Sequence, residues 1–178
     1  MSNGWESADH ALFPYLHKFR CAKWPWRRIK KRPLGYDYWT SKVQSALRNI
    51  RPPLAPPHFL YVRRDSAGEI LAVVWFTHAS NLRPDGTLEA EVVAVAVSLD
   101  HHREGHGGDA LDHAELMLGQ VAREMGASRL EISTKVHDKN TPSRRLLESR
   151  GWEKLTADPK QLETSMWSIA IDRASQAE

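Results

Sequence analysis

The turn His102-Arg103-Glu104-Gly105-His106-Gly107-Gly108 is the part of the chain whose residue types and spacing most directly imply chemistry. It joins an apolar run, Val92 to Val97, to an amphipathic run that begins at Asp109. Glycines let a backbone approach a ligand closely, and the first free N–H groups of a helix face an anion with the favourable end of the helix dipole behind them. The chemistry implied is the holding of phosphate by the backbone of residues 103–108. His101, His102 and His106 in the same stretch raise the question of a metal site. Their HHxxxH spacing falls on a turn with no cysteine nearby, so no metal is expected. Further upstream, Glu89 and Glu91 open the run toward Val97, and with a period of two Glu91 shares a face with Val93, Val95 and Val97. His78 ends the preceding apolar run, and an imidazole suits proton transfer near neutral pH. Glu91 and His78 are therefore the candidate general bases. The plainer reading of Glu89 and Glu91 is a pair of solvated strand-edge carboxylates.

These residues need a frame, and hydrophobic periodicity supplies one. Ala8 to Arg20 is expected to be helical, with no clear strand ahead of it. Tyr36 to Ile50 places Trp39, Val43, Ala46 or Leu47 and Ile50 at helical spacing. The prolines of IRPPLAPPH, Ile50 to His58, block helix and ladder bonds alike and favour extended polyproline geometry, which makes a joint. Phe59 to Arg64 and Ile70 to Thr77, rich in β-branched and aromatic residues, flank DSAG as a hairpin. After the turn NLRPDG, Thr87 to Leu99 is a further strand. From Asp109, Leu111, Ala114, Leu118, Val121 and Met125 form one helical stripe that Gly126 terminates. Arg129 to Thr134 alternates as a strand, Thr141-Pro142 opens a short helix ending at Gly151, and Thr164 to Ile171 closes the pattern. The fold class that follows is α/β with a mixed sheet. The expected organisation is an N-terminal helical and basic region over residues 1–57, packed on the same domain, a core over 58–172, and a tail over 173–178.

The chain of 178 residues is 41% hydrophobic and 26% charged, which suits one substantial core rather than a disordered chain. Cys21 is the only cysteine, so an internal disulfide and a CxxC motif are both excluded. A reducing, cytoplasmic location is expected. The opening MSNGWESADHALF lacks the basic and apolar regions of a leader, and no apolar run approaches the roughly 20 residues that span a bilayer, so no membrane partner is expected. The net charge of +3 is unevenly spread. Lys18, Arg20, Lys23, Arg27, Arg28, Lys30, Lys31 and Arg32 crowd one segment with Trp24 and Trp26 among them. Cations interleaved with aromatics suit an acidic or nucleic-acid partner. Equally, the segment reads as a solvated basic loop whose tryptophans pack inward.

Two motifs together resemble the GNAT superfamily of acyl-CoA-dependent N-acyltransferases, over about Phe59 to Ile171. The first is the Q/R-x-x-G-x-G/A loop, matched by His102-Arg103-Glu104-Gly105-His106-Gly107 with apolar Val97 ahead of it. The second is the N-x-x-A-x-x-L-Y-x-x-x-G-F helix, matched by Asn140, Ser143, Leu146, Leu147, Gly151 and Trp152. The resemblance implies the GNAT fold, here with a divergent basic N-terminal region, and acetyl-CoA as acyl donor with no metal. It further implies that Val95, Ala96 and Val97 line a gap between splayed strands where the pantetheine arm lies, and that the diphosphate sits on the N–H groups of Arg103, Glu104, Gly105, His106, Gly107 and Gly108. His102 stands where the family has Gln or Arg, which leaves open whether His102 or Arg103 turns toward the phosphates. By the same resemblance Asn140 hydrogen-bonds the pantetheine, against its plainer reading as a turn residue at a helix start.

Where the family commonly has a tyrosine that protonates the leaving thiolate, this chain has Leu147. Ser143, one turn earlier, offers a hydroxyl that could hold a water. Family enzymes also often place a glutamate on the strand that carries Glu91, to take the amine proton. Three functions follow: acetyl transfer to a primary amine, with the acceptor acidic or nucleic-acid-linked if the basic segment selects it; acetylation of an RNA-borne substrate such as aminoacyl-tRNA; and a CoA-binding or interaction module without catalysis, motivated by Leu147. A homodimer is compatible with all three.

Overall fold

The computed structural model describes residues 4–23, 36–157 and 164–172. Side chains that are branched at Cβ or aromatic dominate His58–Arg64 (β2), Ile70–His78 (β3) and Thr87–Val97 (β4), and these strands form an antiparallel meander. Asp65 shapes the first turn by accepting from the N–H groups of Ala67 and Glu69, both at 2.9 Å. Ahead of the meander lies Trp5–Ser7 (β1), antiparallel to β2, which corrects the expectation of no first strand. The expected helix over Ala8 to Arg20 is shorter, a 3-10 turn at His10–Leu12 capped by Asp9 followed by Phe13–Lys18 (α1). Tyr36–Asn49 forms α2. In the joint after it the Pro52-Pro53 and Pro56-Pro57 bonds are cis.

The second half runs His106–Glu124 (α3), Arg129–His137 (β5), Thr141–Glu148 (α4), Glu153–Ala157 (β6) and Thr164–Asp172 (β7). β6 went unread in the sequence. The seven strands of the described residues make one sheet in the order β1-β2-β3-β4-β5-β7-β6, in which β4 and β5 are parallel. Helices cover both faces. On one side α3 buries Leu111, Ala114 and Leu118 against Val74, Phe76, Leu88, Val92 and Ile132. On the other, Leu12 and Leu16 with Leu47 of α2 cover Val62, Val73 and Ala96. Among the described residues no helix is long and apolar enough to cross a membrane.

Two irregularities in the middle of the sheet shape the site. Trp75 pairs with Ala94 while Phe76 pairs with Val92, so Val93 is an extra residue bulging from β4. A bulge shifts the alternation by one. Before it Leu88, Ala90 and Val92 face α3, and after it Val95 and Val97 do. Glu91 pairs with Thr77 and so lies on the α1 and α2 face, opposite Val95 and Val97, which overturns the expectation that they share a face. The second irregularity is a fork. The β4 and β5 ladder stops at Glu91 and Ser133, although β4 continues to Val97 and β5 to His137.

Candidate active site

At the fork, side chains replace the missing ladder bonds. Thr134 donates its hydroxyl to the Val92 carbonyl at 2.8 Å, and the Ser133 hydroxyl reaches the Ala90 carbonyl at 3.3 Å. Beyond that point β4 remains bonded to β3 as far as Val97 opposite Ala72, and β5 remains bonded to β7 as far as His137 opposite Thr164. The facing edges of Ala94 to Val97 and Thr134 to His137 share no ladder. Unpaired backbone groups cost free energy unless something satisfies them, so this slot suits an extended polar chain carrying amides. Val95, Ala96 and Val97 all lie on its β4 wall, with Ala96 turned into the α1 and α2 core.

The β4 wall leads straight into the glycine turn that precedes α3. After a 3-10 turn at Leu99–His101 the chain passes Arg103 at φ 71° and Gly105 at φ 89°, both in the left-handed region. Gly105 is the N-cap of α3, and its carbonyl accepts from the N–H groups of Gly108 at 2.8 Å and Asp109 at 3.1 Å. The N–H groups of His106 and Gly107 therefore stand at the helix mouth with no helical carbonyl ahead of them. Gly107 lies close to its neighbours: a Cβ there would meet Leu146 Cδ2 at 3.3 Å, a tight approach, and Val97 Cγ2 at 3.8 Å, an ordinary contact. The helix thus begins three residues before Asp109, where the helical period starts in the sequence.

The loop side chains are sorted by their partners. The His102 ring lies back on the end of β4, with Nε2 3.3 Å from the Val97 carbonyl, while Arg103 sits exposed at the tip of the turn. Glu104 lies between two imidazoles, 3.0 Å from His101 Nδ1 and 3.3 Å from His106 Nε2. Those neighbours, His101 first, hold its carboxyl below the ordinary carboxylate range. The structure thereby groups His101, Glu104 and His106, where the sequence pointed to His101, His102 and His106.

Asn140 caps α4, its Oδ1 accepting from the Ser143 N–H at 3.2 Å while its own N–H donates to the His137 carbonyl at 2.8 Å. That arrangement leaves the Nδ2 donors for another acceptor. Ser143 is half-buried one turn in, and Leu147 is buried in the α3-side core with Trp152. The two candidate bases lie on opposite faces of the sheet. Glu91 is half-exposed on the α1 and α2 face, whereas the His78 ring stacks on Phe59 at 5.6 Å with Nδ1 2.8 Å from the Ala79 carbonyl.

Sequence reasoning missed Thr134, the hydroxyl that closes the fork, and His137 at the far end of the β5 wall. The His137 ring is buried, accepts from the Lys139 N–H at Nδ1 and meets Trp39 of α2 at 5.8 Å. The N-terminal part of α2 therefore reaches β5, while its other end, at Leu47 and Ile50, packs over β2 to β4. Of the basic segment, Lys18, Arg20 and Lys23 are described, and residues 24–32 lie outside the described residues. Gln44 holds the start of that segment, bonding the Phe19 carbonyl at 2.6 Å and the Cys21 N–H at 2.7 Å. The Arg20 carbonyl accepts from the Leu99 N–H at 2.9 Å, beside the exit of β4.

The model of the acetyltransferase (GNAT) family matches residues 17–152, which takes in the fork, the turn and α4. The chain belongs to that family. GNAT structures resemble it along most of its length. The PaiA N-acetyltransferase of Thermoplasma acidophilum in complex with coenzyme A is 13% identical, with a TM-score of 0.63 over 96% of this chain and 100% of that one. A Corynebacterium glutamicum structure described as histone acetyltransferase HPA2 and related acetyltransferase is 21% identical, with a TM-score of 0.60 over 94% and 96%. The ribosomal-protein-S18-alanine N-acetyltransferase of Escherichia coli is 16% identical, with a TM-score of 0.55 over 98% and 97%. No curated protein matches the sequence significantly. The mixed seven-stranded sheet is the GNAT fold, and the helices that the family pattern places after the first strand are α1 and α2.

Proposed function

We propose that this GNAT protein moves an acetyl group from acetyl-CoA to a primary amine by direct attack of the amine on the thioester. The observation that carries the reading is the fork: a β4 edge without a ladder partner from Ala94 to Val97 runs directly into a helix mouth with free N–H groups. Along the chain, amide partners thus come first and anion partners next, in the order that pantetheine and diphosphate follow one another in coenzyme A. The backbone of Val95 to Val97 pairs with the pantetheine amides, the N–H groups of Arg103 to Gly108 take the diphosphate, and the Asn140 amide donates to the arm. His102 packs on β4, which leaves Arg103 as the loop side chain at the phosphate end.

The thioester then belongs near the Val93 bulge, where Glu91 opens onto the α1 and α2 face. Glu91 takes the proton as the amine nitrogen bonds to the carbonyl carbon. The carbon–sulfur bond breaks with its electron pair left on sulfur, and the released proton balances the thiolate as the free thiol. Leu147 is buried and apolar, so no side chain at that position protonates the sulfur. Ser143 holds a water there.

The cofactor reading is tested with Gly107→Glu, which sets bulk against Leu146 and Val97 and a negative charge at the helix mouth. Calorimetry is expected to show acetyl-CoA binding abolished, with the helical circular dichroism kept. Unchanged affinity would sink the assignment. The chemical reading is tested by thiol release from acetyl-CoA against a panel of primary amines, where acceptor-dependent release is expected. Tight acetyl-CoA binding without release toward any amine would instead favour a non-catalytic CoA module.

A further inference from the structure

His101 and His106 flank the turn from its two ends, His101 closing the 3-10 turn and His106 opening α3. His101 Nδ1 and His106 Nε2 approach the same oxygen, Glu104 Oε2, at 3.0 and 3.3 Å. One ligand atom from each of the three residues lies within 4.8 Å of the others. His102, the third histidine of the HHxxxH spacing, is turned away onto the Val97 carbonyl, and Glu104 stands in its place. Two imidazoles and a carboxylate are the ligand types of a zinc-class divalent cation. Four-coordinate zinc, with bonds of about 2.0–2.2 Å, holds its ligand atoms about 3.3–3.5 Å apart, so small side-chain rotations seat an ion among these three.

His106 supplies the observation that calls for a cation. Only 12% of its side chain is exposed, and both ring nitrogens face carboxylates: Nε2 lies 3.3 Å from Glu104 Oε2 and Nδ1 3.9 Å from Asp109 Oδ2. A neutral imidazole has one N–H to give. If Nε2 carries it, the buried Nδ1, which has no hydrogen-bond partner among the described residues, turns a lone pair toward Asp109. If Nδ1 carries it, the lone pair on Nε2 faces Glu104 instead. A metal ion on Nε2 removes the conflict, because it takes that lone pair and the Glu104 oxygen together and leaves Nδ1–H directed at Asp109. A carboxylate behind the ring is the usual second partner of a metal-bound histidine. Asp109 is itself held by Arg63 of β2.

We propose that His101, Glu104 and His106 form a site for a zinc-class metal ion, with water in the fourth position and Asp109 orienting the His106 ring. The ion is a clip: it ties the end of the 3-10 turn to the first turn of α3 across Arg103 and Gly105, the two left-handed residues between them. It takes no part in acetyl transfer, and the proposal stands apart from the acetyl-CoA reading.

The test is titration of the metal-free full chain with Zn²⁺ by calorimetry and with Co²⁺ by visible absorption, for the wild type, His106→Ala, Glu104→Gln, Asp109→Asn and His102→Ala. The wild type is expected to take up about one equivalent, with the visible bands of four-coordinate cobalt and a raised melting temperature. His106→Ala and Glu104→Gln are expected to lose the site, Asp109→Asn to weaken it about tenfold, and His102→Ala to keep it. No uptake by the wild type would mean that a proton fills the gap beside His106, and would overturn the proposal. Uptake that persists in both ligand variants, or that depends on His102, belongs to other histidines and would overturn it too. Circular dichroism checks each fold; should His106→Ala fail to fold, Glu104→Gln, on the exposed turn, decides by the same criterion. Acetyl-CoA titrated in the presence of a chelator keeps the two readings separate, since a failure there would count against the acetyl-CoA site and not against this one.

Discussion

Glu91 and His78 illustrate how much a single residue's role depends on which side of a sheet it lies. Both end the pairing of β3 with β4, one position apart, yet Glu91 lies on the face that α1 and α2 cover and His78 stacks with Phe59 on the other. They cannot be interchangeable bases at one point. Glu91→Gln is expected to lower the transfer rate at neutral pH by roughly 100-fold, the usual scale of general-base loss, and to alter the pH profile while acetyl-CoA affinity stays unchanged. An unaltered profile would move the role to His78. The chemistry of these side chains was legible from their types alone. Their placement was not, because one bulged residue, Val93, has no composition that marks it and yet reverses every face after it. The glycine turn was legible for the opposite reason: the positive φ of Gly105 and the mouth of α3 are local events between neighbouring residues.

At the scale of elements, the long periodic segments were readable and the short ones were not. β1 has three residues, and what makes it a strand is its pairing with β2 almost sixty positions away, together with the buried Trp5 ring. β6 is defined in the same way by β7. The early start of α3 runs against propensity, since Gly107 and Gly108 are poor helix formers, and it lies where Leu146, Val97 and Arg150 leave little room for larger side chains. β1 and β2 are joined to α3 by His113, which stacks on Trp5 at 5.2 Å and meets Tyr61 edge-on at 4.6 Å. Burial pushes the His113 pKa below its ordinary value of 6.5, and among the described residues its buried Nε2 has no hydrogen-bond partner. A histidine held neutral in the fold takes a proton more readily when the chain unfolds, so its contribution is present above pH 6.5 and is lost as pH falls below it. Urea unfolding at pH 7.5 and 5.5 is expected to show a loss on acidification that His113→Phe reduces, because phenylalanine keeps the ring contacts and has nothing to protonate. An equal acid loss in wild type and variant would remove His113 from that role.

For the whole molecule, the consequence of the fork is that the sheet is complete on both sides of a slot it does not close. α2 spans the slot on one face, from Leu47 over β2 to β4 to Trp39 on His137 of β5, and α3 with α4 borders it on the other. A ligand that supplies the missing partners binds the folded chain alone and stabilises it by mass action. Acetyl-CoA at about a hundredfold above its dissociation constant is expected to contribute about 2.7 kcal/mol, which for a chain of this size raises the melting temperature by about 5–10 °C. Differential scanning fluorimetry reads this directly, and Gly107→Glu should lose the shift.

The sequence by itself determined the glycine turn that opens α3, the alternation of strands and helices that makes a mixed sheet, and the family resemblance carried by the turn and the Asn140 helix, because each of those segments is set by neighbours within about a dozen residues. Only the tertiary structure decided where the β4 and β5 ladder stops, which face Glu91 takes, and that Arg150 lies over Gly108. Those three depend on pairs of segments far apart in the chain, where one bulge or one missing side chain changes what meets what and leaves no periodic trace in the residues between.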